Sequence, residues 1–530
     1  MMRILTASDH ALLIEATDLA EAMRFTLVWQ HLPGVVECVP GARTVLVRFD
    51  PLRVSADALA GVLEAREATT IENEPAIPVR DVVVPVVYDG EDLADVAGML
   101  GVSSEELIGR HVAADWRVAF SGFAPGFGYA VGDDALFDVA RRGTPRTRVP
   151  TGSVGLAGPF TGVYPRESPG GWQLIGRTDA VMWNIDRDPP ALLSPGTRVR
   201  FVRAERARLA SSEHRDERDA GRCVAPGHAA ASATSPRLPM ASVEVVRRSL
   251  QLLVQDAGRP GYASLGVSPS GAADRTALRD ANRAVGNSPK AAVLECVGSA
   301  TLRFRGAGVA VVTGAEGDIE VTTADGESRA VVHGAPFATA DGDELRLEHP
   351  ARGIRYVIGV RGGVDAASAL GSRSSDTLAG LGPAPLGAGD VVAIGRDAVA
   401  AVDDLVVPRD LPAAGEVVEL EITLGPRDDW FTPTALRALT EQEWLVTPRS
   451  DRVGVRLHGE HPLERAIAGE LPSEGVVTGG LQVPPDGQPV LFLPDHPLTG
   501  GYPIIGALTD RCLHIAGQLP PGARVRFRVV

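Results

Sequence analysis

Two periods of apolar and polar positions run along the 530-residue chain. In the first 80 residues they alternate. Residues 11–16 form an apolar, strand-like run. Residues 19–32 show helical spacing with Asp18 placed to cap it. Residues 35–39 and 44–49 read as strands around Pro40-Gly41, a second helix opens at Ser55 and runs to about residue 68, and residues 79–87 form a further strand. The order β-α-β-β-α-β predicts a ferredoxin-like α+β domain over residues 1–80.

After Val82 the strands shorten, glycines and prolines separate them, and helices become few. This is the pattern of β-barrels. The exceptions are helices predicted at 92–100 and at 103–110, where Ser103 and Glu106 form a capping box. A weak internal repeat supports related barrels. Leu193-Ser-Pro-Gly-Thr-Arg-Val-Arg-Phe201 recurs as Leu519-Pro-Pro-Gly-Ala-Arg-Val-Arg-Phe527, with a looser copy at 386–392. Residues 204–240 are first densely charged and then rich in Ala, Ser, Pro and Gly, which predicts a flexible linker. The expected organisation is mainly β with α+β: a ferredoxin-like domain (1–80), a cyclophilin-like barrel (81–203), the linker (204–240), and two barrel-like halves (241–402 and 403–530).

Composition narrows the function. A net charge of −15 disfavours a nucleic-acid binder, which needs a cationic face. No apolar run approaches a membrane span and no signal peptide is visible, so the expectation is a cytoplasmic protein. Lys290 is the sole lysine and lies in a turn-like stretch, which excludes a P-loop; anions fall to arginine or backbone N–H groups. The cysteines Cys38, Cys223, Cys296 and Cys512 are far apart, and His458 and His461 have no third partner in view, so no metal site is expected.

Polar residues on glycine-rich loops carry the candidate chemistry. Phe123, Pro125, Gly126, Phe127 and Tyr129 suit either a ligand wall or a tight turn packed into a core. Arg146 and Arg148 share one face of an extended strand and could clamp an anion, with Gly152 and Ser153 as donors; a charged strand edge has the same pattern. In Gln255-Asp256-x-Gly258-Arg259, Asp256 could be a base and Arg259 an anion ligand, and the spacing equally suits a self-paired turn. Ser450-Asp451-Arg452 and Gly500-Gly501-Tyr502 follow later. Spacing alone selects no reaction among them.

These motifs are shared with a known family. Residues 1–203 resemble the B subunit of 5-oxoprolinase, also called allophanate hydrolase subunit 1 or KipI, through Leu32-Pro-Gly34, Phe49-Asp-Pro51, residues 122–129, residues 145–154 and Pro169-Gly-Gly-Trp172. Residues 241–530 resemble the C subunit, or KipA, through residues 255–262, Asn282, Val285-Gly-Asn287, Leu294-Glu295, Leu370-Gly-Ser-Arg373, Ser450-Asp-Arg452 and Thr499-Gly-Gly-Tyr-Pro503. The resemblance implies a natural B–C fusion with contact between its halves. It also implies ATP- and Mg²⁺-dependent activation of the small amide 5-oxoproline by phosphorylation, with hydrolysis completed by a separate A-type protein. Arg146, Arg148, Asp256, Arg259, Ser450, Asp451 and Arg452 would be catalytic, and Phe123, Pro125, Gly126, Phe127, Tyr129, Gly152, Ser153, Gln255, Gly500, Gly501 and Tyr502 would bind substrate. A homo-oligomer stays open. The family's Gln-Thr pair and lysine around Thr-Gly-Gly-Tyr-Pro are replaced here by His496-Pro497-Leu498 and Ile504, and the methionine of Ser-Asp-Arg-Met-Gly by Val453. The barrels also resemble the carboxyltransferase region of urea carboxylase, which would need a biotin carrier. KipI-like proteins bind a histidine kinase, which gives a non-catalytic alternative.

Overall fold

A computed structural model describes residues 2–67, 80–144, 146–205, 241–403, 409–469 and 471–530. The linker expectation and Cys223 lie outside the described residues. The chain divides into two compact units. One holds residues 1–67, 237–262 and 268–530; the other holds residues 68–236 with 263–267. The N-terminal domain thus belongs to the same unit as the C-terminal barrels.

That domain has four antiparallel strands and two helices. The strands run Arg3–Ser8, Ala11–Glu15, Thr44–Phe49 and Val35–Pro40 in spatial order. The helices are Leu19–Trp29 and Ala56–Glu67. Asp18 caps the first as predicted, accepting from the Glu21 N–H at 2.8 Å, while the Glu21 carboxylate returns to the Thr17 N–H at 2.7 Å. Phe25 and Trp29 stack on this helix's buried face over Ile14, Val45 and Val47. One expectation is corrected. The outer strand is Arg3–Ser8, whereas the strand predicted at 79–87 appears as Asp81–Val86 and pairs in register with Arg198–Arg203 of the following barrel. The sheet is completed from its own N-terminus, so the domain ends at the second helix.

The barrel unit and the last domain share a strand plan. In the first, Asp81–Val86 pairs in parallel with the final strand Arg198–Arg203, and Val87 bridges Arg177 at the other edge. In the second, Val417–Leu424 pairs in parallel with the final strand Arg524–Val529 and antiparallel with Ile504–Leu508, closing a seven-stranded barrel. The repeated turn-and-strand segments are these two final strands. Their alternating burial, Val199 and Phe201 inward in one and Val525 and Phe527 inward in the other, is what the repeat encodes. The looser copy differs: Val391–Ile394 pairs antiparallel with Ser242–Arg248. It lies in a two-sheet domain of seven and five strands that face each other across one apolar core.

The N-terminal sheet is fixed to the closed barrel. The Ala42 N–H donates to the Ser473 carbonyl at 2.7 Å, and Gly475 lies so close to Leu46 that a Cβ there would meet it at 2.7 Å. Arg427 is buried between the two domains. It grips Glu474 through Nε and Nη2 at 3.0 and 2.7 Å and reaches Glu15 through Nη1. No helix among the described residues is long and apolar enough to cross a membrane.

Candidate functional site

A buried polar cluster joins the two-sheet domain to the closed barrel. At its centre is Arg452, 1 % exposed. Its Nε and Nη2 bind Asp495 at 3.0 and 3.1 Å, Nη2 also donates to the Gly271 carbonyl at 2.6 Å, and Nη1 reaches Glu295. Burial lowers the guanidinium's pKa, but the two carboxylates outweigh this and raise it above its ordinary value. Asp495 also accepts from Ser270 Oγ at 2.7 Å and from the Thr377 N–H and hydroxyl at 2.9 and 2.8 Å. Burial pushes its carboxyl up; Arg452 outweighs that and holds it below the usual range.

Asp376 stands beside it with less support. Burial and the charge of Asp495 raise its carboxyl to about 6. Ser268 Oγ donates to it at 2.9 Å, and the nearest guanidinium nitrogen, Arg259 Nη1, is 4.0 Å away and has no hydrogen-bond partner. Burial and the neighbouring charge thus disfavour ionisation of Asp376, while Arg452 favours it in Asp495.

The sequence-predicted residues divide around this cluster. Arg452 and Arg259 belong to it. Asp256 accepts four donors, Ser372 Oγ and Ser374 Oγ at 2.6 Å each and the N–H groups of Gly258 and Arg373 at 2.8 and 2.6 Å, so it organises the 369–376 loop instead of pairing with Arg259. Gln255 donates to the Ser375 carbonyl at 2.8 Å and does the same work. Ser450 and Asp451 form the turn that presents Arg452: Asp451 Oδ1 accepts from the N–H groups of Val453 and Gly454. Gly500 pairs with Glu474 in a two-stranded ladder, and Arg465 lies over the Tyr502 ring at 5.7 Å. Gly501 lies between them in the same loop. Ile504 is packed with Val476, Val490 and Phe492, so this position is apolar wall. Nearby His496 is buried, kept neutral with a pKa of about 4, and donates through Nδ1 to the Pro497 carbonyl.

The other unit holds the remaining residues. Phe127 and Tyr129 are buried and meet Tyr164 and Trp172 edge-on at 5.1–5.4 Å; this aromatic group is interior packing. Phe123 and Gly126 both take positive φ, 61° and 79°, in the turn that carries Pro125. Gly152 has φ 79° with the Thr178 carbonyl where a Cβ would be, and Ser153 donates to the Pro150 carbonyl at 2.8 Å. Arg146 and Arg148 do not form a joint clamp. Arg146 binds Asp92 and Glu91 at 2.8 and 3.0 Å, whereas Arg148 is exposed and binds Glu167 at 2.6 Å. Nη1 of Arg146 is buried without a hydrogen-bond partner.

Sequence reasoning missed Asp495, Asp376 and the buried Arg355, whose Nε lies 3.7 Å from Glu295 and whose Nη1 donates to the Gly517 carbonyl. Asp495 had a signal, an acid closing the apolar run 490–493. Asp376 and Arg355 had none, since their partners are distant in sequence. Among the described residues no three His, Cys, Asp or Glu side chains are placed to hold a metal. The buried carboxylates are already taken up by arginine, hydroxyl and backbone donors, so these residues do not fit a Mg²⁺-nucleotide site.

Comparison with known proteins matches both halves. Residues 2–193 fit the carboxyltransferase domain, subdomain C and D, and residues 265–529 fit subdomain A and B. The C subunit of 5-oxoprolinase from Escherichia coli K12 is 32% identical over 295 residues, covering 54% of this chain and 90% of that protein. The B subunit from Escherichia coli O157:H7 is 42% identical over 177 residues, covering 32% and 79%. Urea amidolyase of Lachancea kluyveri is 29% identical over 309 residues, covering 54% and 17%. The crystal structure of TTHA0988 is 31% identical, covers 100% of both chains and superposes with a TM-score of 0.78.

Proposed function

The chain belongs to the carboxyltransferase-domain family that includes the B and C subunits of 5-oxoprolinase, and from that premise we propose that it is the fused B–C component of a 5-oxoprolinase, acting on 5-oxoproline or a close cyclic amide with a separate A-type partner. One observation carries this reading. The N-terminal domain of the B-like half is built into the C-like half through Arg427, Glu15 and Glu474, so the fusion makes one working component of what other proteins keep as two.

The chain's own residues supply positioning. Arg452 and Asp495 lock together the loops that carry the family motifs, with Asp376 buried beside them. Because the buried carboxylate cluster does not fit a Mg²⁺-nucleotide, ATP dependence rests on family likeness.

The test is phosphate release from ATP with and without 5-oxoproline, in the presence and absence of an A-type protein proven active with its own partners. Release that depends on 5-oxoproline is the expected result. No release in any arm overturns the assignment.

A further inference from the structure

Between the N-terminal sheet and the closed barrel lies a cavity of about 320 Å³. It is bounded on one side by the ends of the strands Ala11–Glu15 and Thr44–Phe49, and on the other by residues 427–430 and 467–474. Its lining is rich in charge. Asp429, Arg3, Glu15, Arg427 and Glu474 form a continuous chain of ion pairs, Arg3 binding Asp429 at 2.7 Å and Glu15 at 3.5 Å, and Arg427 joining Glu15 to Glu474. Three carboxylates against two guanidiniums leave a surplus of one negative charge. Glu15 is shared between Arg3 and Arg427, and its side chain is 30% exposed.

The opposite charge lies on Arg43. It lines the same cavity, is exposed, and makes no ion pair among the described residues. Thr44 next to it is 4 % exposed, and its hydroxyl has no hydrogen-bond partner. An unpaired hydroxyl in a buried position is costly unless a partner comes to it. Trp430, Ile467 and Leu471 supply apolar wall. A cavity that sets an arginine without an ion pair and an unpartnered hydroxyl beside a carboxylate on the paired strand, with an apolar side, is complementary to a small zwitterion.

We infer that this cavity binds a free α-amino acid, its carboxylate on Arg43 and the Thr44 hydroxyl and its ammonium on the Glu15 carboxylate. The lactam itself carries no ammonium group and does not match the site, whereas the α-amino acid released when the lactam opens does. Two domains wall the cavity, so an occupant would also tie them together.

The test is isothermal titration of the full chain, without ATP or 5-oxoproline, using glycine, L-leucine and L-glutamate as probes. At least one is expected to bind. Its 2-oxo acid and its decarboxylated amine are expected to bind at least tenfold more weakly. Arg43→Ala and Thr44→Val are each expected to lose at least tenfold in affinity with the ligand-free melting temperature preserved; Arg43 is exposed and valine matches threonine in shape. Equal binding of the 2-oxo acid would make this a plain anion site and overturn the inference. So would unchanged affinity in Arg43→Ala, or no heat with any probe.

Discussion

At the scale of single residues, the molecule depends on ionised side chains held away from water. Arg452 is the extreme case, with Asp495 and Glu295 on its guanidinium and no solvent to replace it. Removing one member of a buried pair leaves the other charge uncompensated, at about 3–5 kcal/mol. Arg452→Met is therefore expected to lower unfolding free energy by about that amount in urea titration, whereas Arg148→Met, which breaks an exposed pair, should cost less than about 1 kcal/mol. His111 gives a pH-dependent counterpart. It is buried in the first barrel, where Tyr88 donates to Nδ1 at 2.8 Å and Nε2–H donates to Thr161 at 3.0 Å, Thr161 in turn donating to the Gly155 carbonyl. Burial lowers its pKa to about 3. Between the ordinary value near 6.5 and 3, the unfolded chain takes up a proton that the native one refuses. Stability must fall as pH falls through that window, by about 1.4 kcal/mol per pH unit. His111→Gln is expected to reduce the loss of stability between pH 7 and pH 5 relative to wild type; an identical loss would show that the ring is not neutral in the fold.

Elements were the most legible scale in the sequence, and the reason is locality. Asp18, Ser103 and Glu106 announce helix starts because caps act within three residues, and the hydrogen bonds fall at those positions. The repeated final strands were legible because alternation along one strand encodes which residues face inward. The Arg3–Ser8 strand escaped notice since six residues ending in Thr, Ala and Ser give no clear alternation. Its displacement of 79–87 could not be read locally, because strand pairing is a choice between distant partners. The buried cluster was illegible for the same reason. Arg452 meets residues 43 and 157 positions away, and neither spacing signals a bond. Turns carry the element-scale prediction. Gly152 has φ 79° and the Thr178 carbonyl 2.1 Å from any added Cβ, so Gly152→Ala meets both strain and a clash with backbone. It is expected to cost about 2–4 kcal/mol. Gly158→Ala, at φ 53° with nothing within reach of a Cβ, should cost about 1 kcal/mol, for strain alone. Thermal melts of the two variants give the comparison.

At the scale of the whole molecule, the division into units runs across the order of the sequence. The first 67 residues belong to the unit of the last 290, although a complete barrel separates them in the chain. Their attachment includes a backbone hydrogen bond from Ala42 to Ser473, close packing of Gly475 on Leu46, the N–H of Gly261 on Glu37 at 3.1 Å, and the Arg427 ion pairs with Glu15 and Glu474. An attachment of this kind does not require a covalent tether; the tether raises effective concentration and with it the fraction assembled. Residues 1–205 and 241–530, produced as separate chains, are therefore expected to elute together on gel filtration. Arg427→Ala should weaken that association by tenfold or more, because Glu474 would be left buried without its cation. Arg24→Ala, on the exposed side of the first helix, should leave it unchanged. Separate elution of the wild-type halves at micromolar concentration would show that the contacts exist only under the tether, and would remove the structural basis for treating this chain as a pre-assembled B–C component.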